Sequence, residues 1–270
     1  MKLDCPPPPR STVGIWRVGR PIVTRVDDEV VSNLGGAETR QYRAQPAAAS
    51  GSPRWDYRIR LSAGATAASF DHSAMFGWSA VRSILHLNLD FPVDVGRDES
   101  TGYVVTRFDE ASRPFDAATG GESPAVRLGM VRQVVDGVAA LHRHGLVHGN
   151  LHPGVASVDG RGRVSVGDLE WVTPVGERCG FGGGVEENFA DPAWRRPGAT
   201  ACLSGDVLSL GRWLWHVVME FDERTAEPAV DLIAAMIDVD PRRRPSAVAV
   251  SEGLAEIERR CWVDAIRLAA

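Results

Sequence analysis

Residues 141–153 read LHRHGLVHGNLHP, and this stretch decides how the rest of the chain is interpreted. Apolar residues before it recur at helical spacing and predict a buried helix face: Val131, Val134, Val135, Val138 and Leu141. Two strand-like runs after it, at 155–158 and 163–166, flank an Asp/Gly-rich turn and predict a β-hairpin. The stretch therefore joins a buried helix to a hairpin.

The chain before residue 108 is predicted to be rich in β-structure. Strand-like runs occupy 22–26, 29–34, 39–43, 55–61 and 103–108, and Gly35 and Gly36 form a turn between the second and third. One amphipathic helix is predicted from Phe70, Ala74, Trp78, Val81 and Leu85. Residues 45–53 are of low complexity and are expected to be a connector that does not pack.

The chain after residue 124 is predicted to be mainly helical. Residues 167–205 show no periodicity and are expected to form a long loop. Two later helices are predicted from the apolar stripes Val207, Leu210, Leu214, Val217, Val218 and Val230, Ile233, Ile237. Trp213 and Trp215 flank the first stripe, so one of them is expected to be exposed. This order of elements predicts an α+β fold.

Composition narrows the class of protein. A net charge of -5 argues against a general nucleic-acid or anionic-membrane binder. The four cysteines are far apart and form no Cys-x-x-Cys pair, which favours reduced, inert thiols. No stretch approaches the ~20 apolar residues of a membrane helix, and the start has no signal-peptide pattern. We therefore expect a cytoplasmic protein. The excess of Arg, Ala, Gly and Pro suggests a GC-rich genome.

Four motifs resemble those of bacterial Ser/Thr protein kinases. Residues 141–153 resemble the approach to the catalytic loop, and 166–170 (VGDLE) lie where that family has its metal-binding D-F-G. Residues 204–211 (SGDVLSLG) and 240–246 (DPRRRPS) resemble two later elements, in the same order and spacing. The resemblance implies a two-lobed kinase-like fold. It divides the chain into a tail or extension at 1–28, a small β-rich lobe with one helix at 29–108, and a larger, mainly helical lobe at 109–270.

The residues that carry kinase chemistry are replaced. The resemblance puts Asn150 at the catalytic-base position, and a neutral amide cannot take a proton. Val155 stands where the family has a second metal-binding Asn, and it has no oxygen to offer. Lys2 is the only lysine of the chain, so the phosphate-binding position falls to Arg60. The glutamate that orients that lysine in the family is replaced by Gly77.

Residual nucleotide or metal contacts are predicted at few positions. Gly35 and Gly36 resemble a degraded glycine-rich loop, and with Arg60 and Asp168 they are the candidate nucleotide contacts, should ATP bind. Asp168 is the candidate Mg²⁺ ligand, with Glu170 beside it. No cofactor is required in this interpretation. The residues that resemble the family's bracing positions are kept: His148, Pro153, Asp206 and Arg244.

The pattern predicts a pseudokinase: a catalytically inactive kinase-like domain that regulates or scaffolds by binding a protein partner. Two alternatives stay open. One is an unusual phosphoryl- or nucleotidyl-transferase that uses Asp168 for metal. The other is a peptide- or small-molecule-binding accessory protein of a biosynthetic pathway, using the vacated cleft as a pocket. No nucleic-acid or membrane partner is expected.

Overall fold

The computed structural model describes residues 12–13, 16–21, 39–46, 57–63, 79–98, 101–107, 109–169, 172–178, 188–196 and 198–269. The fold is α+β. The strands are β1 Thr12–Val13, β2 Trp16–Pro21, β3 Thr39–Pro46, β4 Tyr57–Ala63, β5 Asp94–Asp98, β6 Thr101–Arg107, β7 Arg113–Pro114, β8 Leu146–Val147, β9 Ala156–Val158, β10 Val164–Val166 and β11 Thr173–Pro174. The helices are α1 Phe115–Thr119, α2 Pro124–Arg143, α3 Leu203–Val218, α4 Glu223–Met236 and α5 Ala247–Ala269.

The first third of the chain forms an antiparallel sheet of six strands. Its order is β1-β2-β3-β4-β6-β5, so most neighbours in sequence are neighbours in space. Ile59 in the centre of β4 pairs with Tyr42 on one side and Val105 on the other. One buried apolar cluster covers a face of this sheet: Ala44, Ile59, Leu61, Tyr103 and Val105.

The rest of the chain packs around α2. Ser123 caps this helix by accepting the N–H of Val126, and Pro124 occupies the first turn, where its missing N–H is not needed. All five apolar residues predicted to lie on its buried face are buried, and so is the whole predicted stripe of α3. α5 lies along α2, and Arg132 of α2 contacts Glu258 of α5 at 2.9 Å. Helical periodicity therefore gave the correct core face for α2 and α3.

The predicted hairpin after the 141–153 stretch is confirmed as β9 and β10. Asp159 begins its turn, and one of its carboxylate oxygens accepts the backbone N–H groups of Arg161 and Arg163 at 2.9 Å each. Gly162 has φ of +79°, a conformation that favours glycine. The Asp and Gly of the sequence therefore have specific roles in closing the turn.

Several predictions for the first third lie outside the described residues or need correction. The runs at 22–26 and 29–34, the turn at Gly35 and Gly36, and Gly77 lie outside them. Of the predicted 70–85 helix, residues 79–81 are helical, and Leu85 is 92% exposed while Ile84 is buried. The helical spacing does not extend to residue 85, because the chain leaves the helix after residue 81.

Two segments outside the predicted strands are partly in the sheet. Gln45, placed in a connector, is buried and pairs with Arg17 of β2. β1 and β2 themselves fall within the extension at 1–28, so that part of the extension belongs to the sheet. Pairing with neighbouring strands places these residues in the sheet, and local composition does not indicate such pairing.

Two predictions for the helical part also need correction. The 167–205 segment, expected to be an irregular loop, contains β11 and a short 3-10 helix at Pro192–Arg195. In α4, Ile233 is buried, but Val230 and Ile237 are 44% and 40% exposed. The buried face of α4 instead runs through Ala229, Ile233 and Met236. Of Trp213 and Trp215, the first is buried and the second exposed, as predicted.

Residues 88–90 join the sheet to the helical part. Backbone bonds link Asn88 to Val166 (2.9 Å) and Val166 to Asp90 (2.8 Å), and Arg58 of β4 forms an ion pair with Asp90 at 3.1 Å. The Asn88 side chain donates to the carbonyl of Val164 at 2.8 Å. Within the described part of the chain, no helix is both long enough and apolar enough to cross a lipid bilayer.

Candidate functional site

His148 lies at the centre of the loop that resembles a catalytic loop. β8 pairs with β11 and leads directly into this residue, which is completely buried. Its Nδ1 accepts the N–H of Asn150 at 3.3 Å, so Nδ1 carries no proton and Nε2 must carry one. Nε2 then donates to the carbonyl of Gly167 at 2.8 Å. His148 therefore ties this loop to the residue before Asp168, the packing role expected for it.

Asp206 fixes the same loop to α3. Its carboxylate is completely buried and accepts three hydrogen bonds, from the N–H groups of His148 and Gly149 (2.8 Å each) and from Nε2 of His142 (2.9 Å). Gly149 has φ of +78°, which a residue with a Cβ adopts only under strain. The loop conformation is thus set by long-range bonds to one carboxylate.

His142 was not predicted to take part, although the sequence holds a signal for it. It follows Val138 by four residues, so it lies on the buried side of α2. Its ring is 8% exposed and contacts the only buried acid of α3, Asp206. A histidine on an apolar helix face is a candidate for this kind of buried contact.

The position that resembles the catalytic base holds Asn150. Its Oδ1 is buried and has no hydrogen-bond partner among the described residues. Val155 ends the short 3-10 helix Pro153–Val155, and its carbonyl accepts the N–H of Gly167 at 2.7 Å. Asn150 and Val155 lie in a loop that bonds to Gly167, the residue before Asp168, through Val155 and His148. Neither the Asn150 nor the Val155 side chain can accept a proton at neutral pH.

Asp168 is the carboxylate of this site. It is half-buried and has φ of +58°, the positive value among the described non-glycine residues. Such a conformation costs of order 1 kcal/mol or more and occurs preferentially at functional sites. Glu170, its predicted neighbour at a metal, lies outside the described residues. The described residues contain no group of three or more His, Cys, Asp or Glu side chains arranged to hold a metal ion.

His152 has a local structural role in this loop. Its Nδ1 accepts the N–H of Gly154 at 3.2 Å and so caps the 3-10 helix. Its ring lies 6.4 Å from that of Phe189, which in turn meets His216 of α3 edge-on at 6.3 Å. The loop thus carries an aromatic contact to the segment before Asp191.

The predicted nucleotide contacts are only partly described. Arg60 lies in β4, between Gln41 of β3 and Val104 of β6. Gly35 and Gly36 lie outside the described residues. Arg60, the cation predicted from the sequence to contact phosphate, therefore lies on an inner strand of the sheet.

A buried ion pair braces the 191–196 segment. Arg244 Nη1 contacts Asp191 Oδ2 at 2.6 Å, and both side chains are less than 5% exposed. The same guanidinium donates to the carbonyl of Ser204 at 2.9 Å, at the start of α3. Its neighbours Arg242 and Arg243 are exposed, as expected for a solvated turn. Only Arg244 of the three has a buried role.

A surface pocket of about 420 Å³ lies away from these residues, beside the β9–β10 turn. It is lined by Asp109, Ala111, Asp159, Gly160, Arg161 and Arg163, and so by none of the predicted site residues. No family model matches this chain, and no curated protein sequence matches it either.

Proposed function

We propose that this chain has a two-lobed protein-kinase-like fold and acts without phosphoryl transfer, as a regulatory or scaffolding protein that binds a protein partner. One observation carries this proposal. The loop at 148–155 is held by a complete set of bonds to Asp206 and Gly167, while the side chain that it presents at the base position is the amide of Asn150. The hydrogen bonds that hold the loop are present, while the position that the resemblance assigns to the catalytic base holds an amide.

The chemistry of the substitutions supports the same proposal. Loss of a positioned base typically costs ~10²–10⁴ in rate. Val155 supplies no oxygen for a second metal ion, and Arg60 offers a planar fork instead of a lysine point charge. These substitutions remove separate requirements of phosphoryl transfer: the base, the second metal ion and the phosphate contact. Restoring one residue is therefore not expected to restore the reaction.

Phosphate transfer tests the proposal directly. With ATP and Mg²⁺ or Mn²⁺, we expect no transfer by the natural chain to itself or to general protein substrates. Asn150→Asp alone is expected to stay inactive, because it leaves Val155 and Arg60 in place. Metal-dependent turnover that Asp168→Ala abolishes would contradict the proposal. Efficient activity of Asn150→Asp would contradict the claim that several groups are missing.

The backbone of Asp168 favours a second candidate, an unusual metal-dependent transferase. Residues in strained backbone conformations cluster at functional sites, and a carboxylate is a ligand that Mg²⁺ takes in proteins. Thermal unfolding with ATP, with and without Mg²⁺, separates the two candidates. Ligand at about 100 times its Kd stabilises the folded state by about 2.7 kcal/mol. A shift that requires metal and is lost in Asp168→Asn favours the transferase, and no shift favours the binding protein.

A further inference from the structure

One outer face of the α3–α4 pair exposes large apolar side chains. Trp215 of α3 and Met219 at its end are 46% and 62% exposed. Val230 and Ile237, seven residues apart, are 44% and 40% exposed. Large apolar side chains grouped on one surface mark interaction sites far more often than single ones do.

Helix geometry places these four side chains on one surface. Gly211 of α3 meets Ile237, since a Cβ built on Gly211 would come within 2.8 Å of it. Because a connection of only four residues joins α3 to α4, we infer that the two helices run antiparallel from this contact back to that turn. Along that path Trp215 lies one turn and Met219 two turns from the contact, and Val230 lies two turns from Ile237. Met219 and Val230 therefore lie at the same level along the helix pair. Trp215 lies between that level and the contact of Gly211 with Ile237.

The opposite sides of both helices face the core. Leu214 and Val217 of α3 are buried, as are Ala229 and Ile233 of α4. Because the inner sides of these two antiparallel helices pack on the same core, their outer sides face the same direction. We call this surface the α3–α4 face and define it by Trp215, Met219, Val230 and Ile237.

A row of carboxylates borders the α3–α4 face. Glu223, Glu227 and Asp231 follow one another at four-residue spacing along α4, and all three are exposed. Within the described part of the chain none of them forms an ion pair, although like charges at this spacing repel. Exposed arginines of the neighbouring turn do find partners, as Arg242 does with Asp240. The acidic row is thus an uncompensated negative edge on an apolar surface.

We propose that the α3–α4 face docks an amphipathic helix of a partner protein, with Lys or Arg side chains along one flank. The apolar side of that helix would cover Trp215 and Val230, and its cations would meet the acidic row. Carboxylates four residues apart lie about 6 Å apart along α4 and match cations at the same spacing on a second helix. The inference rests on the proposed binding function and names its surface and the chemistry of its partner.

A synthetic peptide tests this inference. A labelled Leu/Lys amphipathic peptide of about 18 residues, long enough to hold a helix, is titrated with the full chain and followed by fluorescence anisotropy. A Leu/Glu peptide of the same length and pattern is the control. We expect the Leu/Lys peptide to bind, and salt to weaken it. The Leu/Glu peptide should bind at least about tenfold more weakly, because the acidic row repels it.

Variants of the chain locate the binding. Glu227→Lys with Asp231→Lys should weaken the Leu/Lys peptide by about tenfold or more. The control is Glu122→Lys with Glu177→Lys, which changes the net charge equally at exposed positions outside α3, α4 and α5 and should stay within about twofold. Val230→Asn keeps the charge and should also weaken binding by about tenfold, because it removes an apolar contact. Thermal unfolding confirms that each variant is folded.

Each remaining outcome overturns the inference. Equal weakening by the two lysine pairs would show attraction to net charge alone. If Glu227→Lys with Asp231→Lys weakened peptide binding but Val230→Asn did not, the site would bind polycations without an apolar contact. Self-association of the chain that Val230→Asn abolishes would show that a second copy covers the face. If no peptide binds and no phosphate transfer occurs, the docking inference fails while the non-enzymatic function stands. Metal-dependent transfer would instead contradict the proposed function, whatever the peptide result.

Discussion

Asp206 is the residue on which the conformation of the candidate site depends. Asp206→Asn keeps the shape but turns one acceptor oxygen into a donor, so a buried N–H of His148 or Gly149 loses its partner. Each unpaired buried donor costs about 1–3 kcal/mol. We expect a loss of unfolding free energy of that size or larger, measured by urea denaturation. Glu252→Gln, on an exposed position, is the control and should change stability by less than about 0.5 kcal/mol. An equal effect of the two would contradict the role of Asp206.

His86 makes stability depend on pH. Burial is the largest cause that lowers the pKa of His86 below its ordinary value of 6.5; the Asp136 carboxylate raises this pKa and Arg143 lowers it. Its Nδ1 accepts the N–H of Asn88 at 3.3 Å, which requires the neutral ring. The unfolded state therefore binds the proton more readily. The stabilisation is complete above about pH 6.5 and is lost as the pH falls below it.

The variant His86→Gln isolates this contribution. Glutamine can still accept from the backbone N–H but does not titrate. We expect the thermal midpoint of the natural chain to fall more steeply between pH 6.5 and 5 than that of His86→Gln. Above pH 7 the two curves should run parallel. Parallel curves over the whole range would contradict the assignment.

Single residues of the site were predictable only in part. The sequence motifs singled out Asn150, Val155 and Asp168 as candidates, because the residues of each motif are close together in the sequence. Asn88 and His142 were not predicted, because their partners, Val164 and Asp206, are brought to them by the fold. Sequence periodicity indicates which side of an element is buried, but it does not indicate which polar group of another element that side contacts.

At the level of elements, one arginine connects three segments. Arg244 joins the turn before α5 to Asp191 and to the start of α3 through Ser204. Arg244→Ala leaves the buried carboxylate of Asp191 without its cation, which costs about 3–5 kcal/mol. Arg243→Ala is the matched control: Arg243 is 74% exposed and lies 3.9 Å from Asp238, so its loss should cost less than about 1 kcal/mol. Denaturant unfolding measures both, and similar losses would contradict the structural role of Arg244.

Elements with a strong local pattern were predicted well. α2 and α3 bury the stripes read from the sequence, and the turn at Asp159 has the residues that such a turn needs. The exposed edge of α4 was predicted incorrectly, because Val230 and Ile237 fit the helical period but face away from the core. Gln45 shows the reverse case: strand pairing buries a polar residue that local composition assigns to a connector.

At the level of the whole molecule, Asn88 is one of the described residues that connect the sheet to the helical part. Its side chain donates to the carbonyl of Val164 and to Gln133 Oε1 (3.1 Å), and Gln133 also accepts the N–H of Val164. Because this network ties α2 and β10 to the segment that leads into β5, it couples the sheet to the core around α2.

Asn88→Ala should therefore weaken the coupling of the two parts more than it weakens either part. Lost buried hydrogen bonds cost about 1–3 kcal/mol, which is about a 5–150-fold change in an opening equilibrium. In hydrogen exchange followed by mass spectrometry, we expect the amides of β4 and β6 to exchange faster by a factor in that range, and those in the centre of α2 to change less. Glu122→Ala, at an exposed position, is the control and should change neither. An equal acceleration of β4, β6 and α2 in Asn88→Ala would show that the molecule opens as a single unit and would contradict the prediction.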